Sequence, residues 1–367
     1  MHNIESLVRQ SRPVDLSLGY DTATVAGKTI LITGGASGFG AGFARRWAAL
    51  GANVMIGDIS DADGEALIAE LRRSTGSAHH HYFHCDVTDW ASQVKFFKEA
   101  AECSPHGGID VVVANAGVKD TDDHFDNPSR DLSQLDCKPP NLKCLDVNIT
   151  GVAYTTHLAL FWLPRSSGKD KLIMLLGSVA SLMPLPPQIQ YTTTKHAVLG
   201  LFRTLRGTAW QHNIRVNLLC PYFIKTPIVP PIGRVLLAGG GMGETSSVVE
   251  AATRFLSDES IVGRALVVGP KVRLKEDAST WEDEFEIVGV DDGSEGSSSQ
   301  SKNSATNSTK EIWEVYAHDF EAVETFVYRF AKLLYAVEQI RGWAGWFTDV
   351  LEALTMKLRG RRRKQRA

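Results

Sequence analysis

The chain has 367 residues, enough for one large α/β domain with an appendage or for two modest domains. Hydrophobic residues make up 43% and charged residues 22%, an ordinary composition for a globular protein with a full core. The formal net charge of −3 excludes a global field that would draw the chain to nucleic acid or to an anionic membrane.

The cysteines and the amino-terminal residues predict a cytoplasmic protein. Five widely spaced cysteines without a CxxC pair disfavour a disulfide framework and indicate a reducing compartment. Residues 1–27 lack the basic-then-apolar layout of a signal peptide. No window of about 20 uncharged apolar residues occurs, so a transmembrane helix is not expected.

Short apolar runs alternate with helix-length segments between Lys28 and Pro270. Most runs are rich in Val, Ile and Leu without polar alternation, which is typical of parallel strands buried on both faces. Strands that alternate with helices predict an α/β fold, a Rossmann-type doubly wound parallel sheet. The predicted strands are Thr29–Thr33, Asn53–Gly57, His81–Cys85, Ile109–Ala114, Lys171–Gly177, Arg215–Leu219 and Ala265–Val268. The predicted helices include Gly38–Leu50, Asp61–Arg73 and Tyr191–Gln211.

Changes in composition divide the chain into four parts. Residues 1–27 are a lead-in, and residues 28–270 form the main α/β domain, with a polar surface insertion at Val118–Asn141. Residues 271–309 combine an acidic stretch with a Ser- and Gly-rich flexible linker. Residues 310–367 are an amphipathic helical extension with a basic tail.

A glycine-rich loop follows the first predicted strand and opens the first predicted helix. Glycines allow the sharp turn and the close approach of a pyrophosphate, and the helix N-terminus offers free N–H groups to that anion. Glycines also make ordinary turns, but the strand–loop–helix context favours a dinucleotide site. The residues of this predicted site are Thr33, Gly34, Ser37, Gly38, Phe39 and Gly40.

Asp58 ends the second predicted strand. A carboxylate at this position can accept hydrogen bonds from the adenosine ribose of NAD and repels the 2′-phosphate of NADP. No Arg or Lys stands at Ser37, Phe39, Ile59 or Ser60 to bind that phosphate. The pattern predicts NAD as the cofactor, with NADP disfavoured; a helix-capping role for Asp58 is the alternative.

Ser178, Tyr191 and Lys195 form the candidate catalytic set. Tyr191 and Lys195 are spaced i, i+4, so they share one face of a helix. A phenol has a pKa of about 10, and a neighbouring ammonium favours the phenolate and makes it a better base. Ser178 follows a strand at its carboxyl end, where open α/β sheets bind ligands. A YxxxK pattern is common by chance, but its place after a dinucleotide loop favours catalysis.

These motifs, in this order, resemble the short-chain dehydrogenase/reductase family over residues 28–270. The glycine loop resembles the family's TGxxxGxG loop, and Ser178, Tyr191 and Lys195 match its catalytic residues, of which Tyr191 and Lys195 also contact the cofactor. The resemblance implies roles for further residues. These are Asp86 and Val87 beside the adenine, Asn115, Ala116 and Gly117 in a variant NNAG stretch whose first Asn is Ala114, and Asn148, whose backbone carbonyl holds a water near the lysine.

One departure from the family pattern follows the sixth strand. Pro221 is followed by Tyr222 where the family commonly has glycine, so a large side chain is expected beside the nicotinamide. Thr226 still matches the residue that binds the carboxamide. The run from Cys220 to Phe223, together with Asp58, resembles the NAD-using, 15-hydroxyprostaglandin-dehydrogenase-like branch.

The resemblance implies an NAD-dependent dehydrogenase that oxidises a hydrophobic secondary alcohol, lipid-like or secondary-metabolite-like, to a ketone. It also implies a homodimer or tetramer. Two alternatives stay open: an NAD(P)H-dependent ketone reductase that uses the same residues in reverse, and a non-catalytic cofactor-binding scaffold. A complete Ser178, Tyr191 and Lys195 set disfavours the scaffold.

Residues 310–367 allow three interpretations. An apolar stripe at helical spacing favours a helical pair that packs on the main domain or on a second copy. The same stripe with its tryptophans and terminal arginines also suits a peripheral membrane anchor. A nuclear-import or nucleic-acid patch is the third, but no aromatic residues lie among the terminal arginines.

Four histidines near the third strand, His79, His80, His81 and His84, do not predict a metal site. Neighbouring residues on a strand point to opposite faces, so their rings do not converge on one ion.

Overall fold

The computed structural model describes residues 11–120, 133, 135–206, 208–225, 241–274, 285–287 and 309–315. This part of the chain is built around one sheet, in which seven strands run parallel in the order β3-β2-β1-β4-β5-β6-β7. The strands are β1 (Thr29–Thr33), β2 (Asn53–Asp58), β3 (His81–His84), β4 (Val111–Ala114), β5 (Leu172–Leu176), β6 (Arg215–Pro221), β7 (Ala265–Leu274), β8 (Phe285–Ile287) and β9 (Thr309–Glu314).

Helices cover both faces of the sheet. Phe96, Val152 and Phe202 belong to the apolar core on one face, while Trp47 and Phe255 belong to the core on the other. The helices are α1 (Gly38–Ala49), α2 (Asp61–Thr75), α3 (Trp90–Cys103), α4 (Val152–Trp162), α5 (Ile189–Leu205) and α6 (Thr245–Ser257). α3, α4 and α5 lie on the first face and α1, α2 and α6 on the second, which confirms the predicted doubly wound fold.

Two stretches of irregular helix flank the longer helices. A short turn, Lys143–Leu145, and a π-helical segment, Asp146–Gly151, run directly into α4. α5 begins two residues before the predicted start at Tyr191, and the predicted helix to Gln211 is interrupted after Leu205 before the 3₁₀ turn Ala209–His212.

The sheet continues beyond the domain boundary predicted at residue 270. β7 runs through Pro270, and β8 and β9 pair with it in antiparallel fashion. A register shift between Val268 and Val272 accommodates the proline, which cannot donate to a regular ladder. A Gly-Pro pair normally ends a strand, so the sequence favoured a boundary that falls inside β7.

β9 carries a fully buried tryptophan. Trp313 is 0% exposed, and a Cβ added to Gly269 would lie 2.8 Å from its ring. The first residues of the predicted helical extension, 310–314, therefore belong to a strand. Residues 316–367 lie outside the described residues, as do residues 121–132 of the predicted insertion, and the three interpretations of the extension stay predictions.

The amino-terminal lead-in packs on this part of the sheet. The Ser11 N–H donates to the Val262 carbonyl at 3.0 Å, and the Val14 N–H donates to Glu314 Oε2 at 3.0 Å. Glu314 also pairs with Arg264 at 3.0 Å. Residues 11–14 therefore join β9 to the main domain.

The candidate site lies where the parallel strands end. The glycine loop, Asp58, Asn115, Ser178 and Pro221 all lie at or just after the carboxyl ends of their strands, the edge at which open α/β sheets bind ligands. In the part of the chain that the structure describes, no helix is both long and apolar enough to cross a bilayer.

Candidate active site

The loop between β1 and α1 is built on glycines. Gly34 and Gly38 have positive φ angles of 64° and 51°, which side chains disfavour. A Cβ on Gly34 would lie 2.8 Å from the Ala116 Cα, and one on Gly40 would lie 2.8 Å from the Asn115 Nδ2. Ser37, at the exposed tip, directly precedes the open N–H groups of α1. This cradle and its helix N-terminus fit a dinucleotide pyrophosphate.

Thr33 and Asn115 hold the loop in shape. The Asn115 Nδ2 donates to the carbonyls of Thr33 and Gly34, each at 2.9 Å. The Thr33 Oγ1 accepts from the backbone N–H groups of Asn115 and Ala116, each at 3.2 Å. These two side chains therefore fix the backbone of the glycine loop.

The Asp58 carboxylate lies beside the same loop. Its Oδ2 accepts from the Ala36 N–H at 3.0 Å, and its Oδ1 accepts from the Ser60 N–H at 3.1 Å. Ser60 directly precedes α2, so the Asp58 carboxylate stabilises both the glycine loop and the start of that helix. The carboxylate is half-buried at the end of β2, a position from which a ribose hydroxyl can still reach it.

Asp86 and Val87 follow β3. The Asp86 Oδ1 accepts from the Thr88 N–H at 2.9 Å and from the Thr88 hydroxyl at 2.8 Å, which fixes the turn. Val87 is buried, and a Cβ on Gly151 would lie 2.8 Å from its Cγ2. Val87 thus packs tightly against the start of α4.

Ser178, Tyr191 and Lys195 come together as the sequence predicted. Ser178 lies two residues after the end of β5, and its hydroxyl is close enough to the Tyr191 phenol to lower the pKa of that phenol. The Lys195 Nζ donates to the Leu176 carbonyl at 2.9 Å and lies 5.6 Å from the centre of the Tyr191 ring. The three side chains therefore belong to one cluster at the carboxyl end of β5.

Burial dominates the electrostatics of this cluster. It raises the pKa of Tyr191 above the usual value, while the nearby Ser178 hydroxyl acts in the opposite direction. Burial lowers the pKa of Lys195 to about 8. The i, i+4 spacing of Tyr191 and Lys195 predicts only the attraction between ammonium and phenolate, which lowers the pKa of tyrosine. Removal from water, which the spacing does not reveal, acts against the charged form of both groups.

Asn148 links the loop after β4 to α5. It is fully buried in the π-helical segment, and its Oδ1 accepts from the Val118 N–H at 2.8 Å. Its Nδ2 donates to the Val118 carbonyl at 2.7 Å and to the Thr194 hydroxyl at 3.1 Å. The Thr194 hydroxyl in turn donates to the Tyr191 carbonyl at 2.7 Å. π-Helical turns recur at functional sites, and here one presents an asparagine to α5, the helix that carries Tyr191 and Lys195.

Gly117 lies against the same network. A Cβ on Gly117 would lie 3.3 Å from the Asn148 Oδ1 and 3.7 Å from the Lys195 Nζ. Its backbone therefore passes directly beside the buried ammonium.

Sequence reasoning missed Asp120. Its Oδ2 accepts from the Gln190 N–H at 2.9 Å and its Oδ1 from the Tyr191 N–H at 3.1 Å. It lies in the polar stretch interpreted as a surface insertion, and no local pattern marks a contact with residues 70 positions later. The contact of Thr194 with Tyr191 has a weak sequence signal, since Thr194 lies one helical turn after Tyr191.

The segment after β6 is only partly described. Tyr222 is 7% exposed, and its ring packs edge-on against Phe223 with centroids 5.0 Å apart. Pro221 ends β6, and its carbonyl lies 3.5 Å from the Ser178 hydroxyl. Thr226 lies outside the described residues.

A family model described as short chain dehydrogenase matches residues 28–234. The chain belongs to the short-chain dehydrogenase/reductase family, and it is an oxidoreductase that acts on alcohol or ketone groups with a nicotinamide cofactor. The finer assignment to the 15-hydroxyprostaglandin-dehydrogenase-like branch stays a prediction.

The alignments with individual relatives cover most of each relative's length. The chain is similar to 5'-hydroxyaverantin dehydrogenase of Dothistroma septosporum, with 34% identity over 70% of this chain and 89% of the relative. It is 31% identical to NADP-dependent dehydrogenase M3 of a Phoma species, over 71% of this chain and 80% of the relative. Among solved structures, 3-ketoacyl-(acyl-carrier-protein) reductase from Brucella melitensis, complexed with NADH, aligns with a TM-score of 0.56 and 27% identity. That alignment covers 66% of this chain and 97% of the reductase.

Proposed function

We propose that this protein oxidises a hydrophobic secondary alcohol to a ketone, with NAD as the hydride acceptor. The observation that carries the proposal is that Ser178, Tyr191 and Lys195 lie together, with the Lys195 Nζ 5.6 Å from the centre of the Tyr191 ring. NAD, when bound, accepts the hydride that leaves the alcohol carbon.

The side chains handle the proton. Ser178 holds the substrate oxygen, and the Tyr191 phenolate removes the hydroxyl proton as the hydride departs. Lys195, with its pKa lowered to about 8, still carries a positive charge at pH 7 and favours the phenolate. The proton then leaves through water held near Asn148.

The surroundings of this cluster favour an apolar substrate. Half-buried apolar side chains follow β5 and β6, the two strands that lead into the site, and their presence supports a hydrophobic pocket. These half-buried side chains are Leu182, Met183, Leu185 and Phe223. The name of one relative, 5'-hydroxyaverantin dehydrogenase, agrees with a hydroxylated substrate of this kind.

NAD is proposed over NADP because of Asp58. Its carboxylate is held by two backbone N–H groups at the end of β2, and an additional phosphate near it would be repelled. The neighbouring Ile59 is 62% exposed and offers no charge to compensate. A relative is named as an NADP-dependent dehydrogenase, and the assay below therefore compares the two cofactors.

Reduction of a ketone with NADH is the second candidate, because the matched ketoacyl reductase holds NADH. The same residues serve both directions, with Tyr191 donating the proton instead of accepting it.

The test is a screen of the full chain with hydrophobic secondary alcohols, with NAD and NADP in parallel and the reduced cofactor followed by absorbance. We expect turnover with NAD, a lower kcat/KM with NADP, and a loss of kcat of about 100- to 10,000-fold in Tyr191→Phe. Tyr154→Phe is the matched control, since Tyr154 packs against Trp90 on the outer side of α4.

Full activity in Tyr191→Phe would overturn the proposal. Cofactor binding without turnover of any alcohol or matching ketone would favour the scaffold, and turnover of ketones alone would favour the reductase.

A further inference from the structure

The carboxylate of Asp120 spans the first turn of the helix that carries Tyr191. One oxygen accepts from the Gln190 N–H at 2.9 Å and the other from the Tyr191 N–H at 3.1 Å. The first four N–H groups of a helix have no partner within the helix, so an acceptor from outside fixes where that turn begins. Here the acceptor comes from the loop after β4, on the other side of the catalytic cluster.

That loop is itself firmly held. Val118 is bonded through both its N–H and its carbonyl to the Asn148 side chain, at 2.8 and 2.7 Å. The Cys144 thiol, one turn before Asn148, donates to the same Val118 carbonyl at 3.5 Å. The loop after β4 is therefore tied through Val118 to the segment before α4 and through Asp120 to the start of α5.

The Tyr191 main chain is fixed from two directions. Its N–H is bound by Asp120 at 3.1 Å, and its carbonyl is bound by the Thr194 hydroxyl at 2.7 Å. Thr194 is in turn bound by Asn148. Because both backbone polar groups of Tyr191 are fixed, the direction in which the phenol leaves the helix is fixed as well.

We propose that Asp120 is a positioning residue for the oxidoreductase reaction: it holds the first turn of α5 so that the Tyr191 phenol stays in hydrogen-bonding reach of Ser178. The inference rests on the proposed role of Tyr191 in proton transfer. Asp120 acts through the backbone of Tyr191, so it is not itself a catalytic residue. A displacement of about 1 Å at a reacting group can reduce the rate about 100-fold.

The matched control is Asp89, which has the same chemistry at another helix. Its two carboxylate oxygens accept from the Ala91 and Ser92 N–H groups, at 3.0 and 3.2 Å, at the start of α3. Removal of either carboxylate deprives a helix of its acceptor, but the helix after Asp89 does not carry Tyr191.

The experiment compares Asp120→Ala, Asp120→Asn, Asp89→Ala and Asp89→Asn in the full chain, with kcat, KM for the alcohol, Kd for NAD and Tm measured for each. We expect Asp120→Ala to lower kcat about 10- to 100-fold with the Kd for NAD within twofold of wild type. Asp120→Asn keeps one acceptor oxygen and is expected to fall between wild type and Asp120→Ala. Both Asp89 variants are expected to lower Tm without changing kcat.

Two outcomes would overturn the inference. One is an unchanged kcat in Asp120→Ala, and the other is a parallel loss of kcat and NAD binding, which indicates general disruption of the site. Should Asp120→Ala fail to fold, Asp120→Asn is judged by the same two criteria. An active Tyr191→Phe enzyme would instead remove the proposed function, so the two failures are distinguishable.

Discussion

Lys195 shows how burial changes a single functional residue. Its side chain is almost fully removed from water, its Nζ donates to the Leu176 carbonyl, and burial lowers its pKa from 10.5 to about 8. The unfolded chain keeps its proton between these two pH values while the folded protein has lost it. The free energy of unfolding contributed by Lys195 therefore rises with pH through this window, and the full penalty of burying the charge is present below pH 8.

Replacement of Lys195 by Met should reveal that penalty. The interval between 10.5 and about 8 corresponds to a penalty on the order of 3 kcal/mol, offset by about 1 kcal/mol for the lost hydrogen bond. We expect urea unfolding without cofactor to show the Lys195→Met variant more stable than wild type at pH 7, with the gap narrowing between pH 8 and pH 10.5. Lys98→Met, an exposed position on α3, serves as the control; a gap that stays constant with pH would contradict the expectation.

The turn from β1 to α1 is an element that sequence alone predicts well. Glycines meet the conformational requirements of this turn, and its predicted cofactor-binding role depends on the spacing of neighbouring residues. The strand, the loop and the helix therefore agree with the prediction. The contact between Asp120 and α5 is different, because it joins residues 70 positions apart and depends on how two loops meet. Local patterns identified Tyr191 and Lys195, while tertiary packing determines what holds them.

The Gly40→Ala variant tests the turn from β1 to α1 directly. The added Cβ would meet the Gly34 carbonyl oxygen and the Asn115 Nδ2, both of which belong to the fixed loop. We expect a loss of NAD affinity of at least about 10-fold, measured by calorimetry, since the loop must open to admit the methyl group. Gly200→Ala, where a Cβ would have no atom of the described residues within 4 Å, should instead stabilise α5 by up to about 1 kcal/mol. Equal NAD affinities in the two variants would contradict this account.

At the scale of the whole molecule, the sheet includes residues that the sequence pattern predicted to be a linker and a helical extension. The seven parallel strands were predictable because buried parallel strands are continuous apolar runs. β9 was not, because Ile312 and Trp313 stand between polar neighbours and are separated from the main domain by a low-complexity stretch. Its partner strand is also interrupted by Pro270, which local rules interpret as an end.

Two truncations measure what β9 contributes. A chain that ends at residue 270 loses the last four residues of β7 and all of β8 and β9, whereas one that ends at residue 315 keeps all three strands. We expect the shorter chain to be less stable by at least about 3–5 kcal/mol, the usual range for loss of one fully buried tryptophan. Urea unfolding of both chains, with Trp313→Ala in the full chain as a third sample, provides the measurement. Equal stabilities would show that β9 is dispensable.

The hydrogen bond between Val14 and Glu314 can form only late in the synthesis of the chain. The two partners are 300 residues apart, and ribosomes add about 5–20 residues per second, so the amino-terminal arm waits about 15 to 60 s for its acceptor. Only in the last part of that interval, after β7 (Ala265–Leu274) has been synthesised and before β9 (Thr309–Glu314) follows, is the outer side of β7 an open strand edge that can pair with other chains. We therefore expect the nascent chain to be most vulnerable to aggregation after β7 has been synthesised and before β9 has emerged.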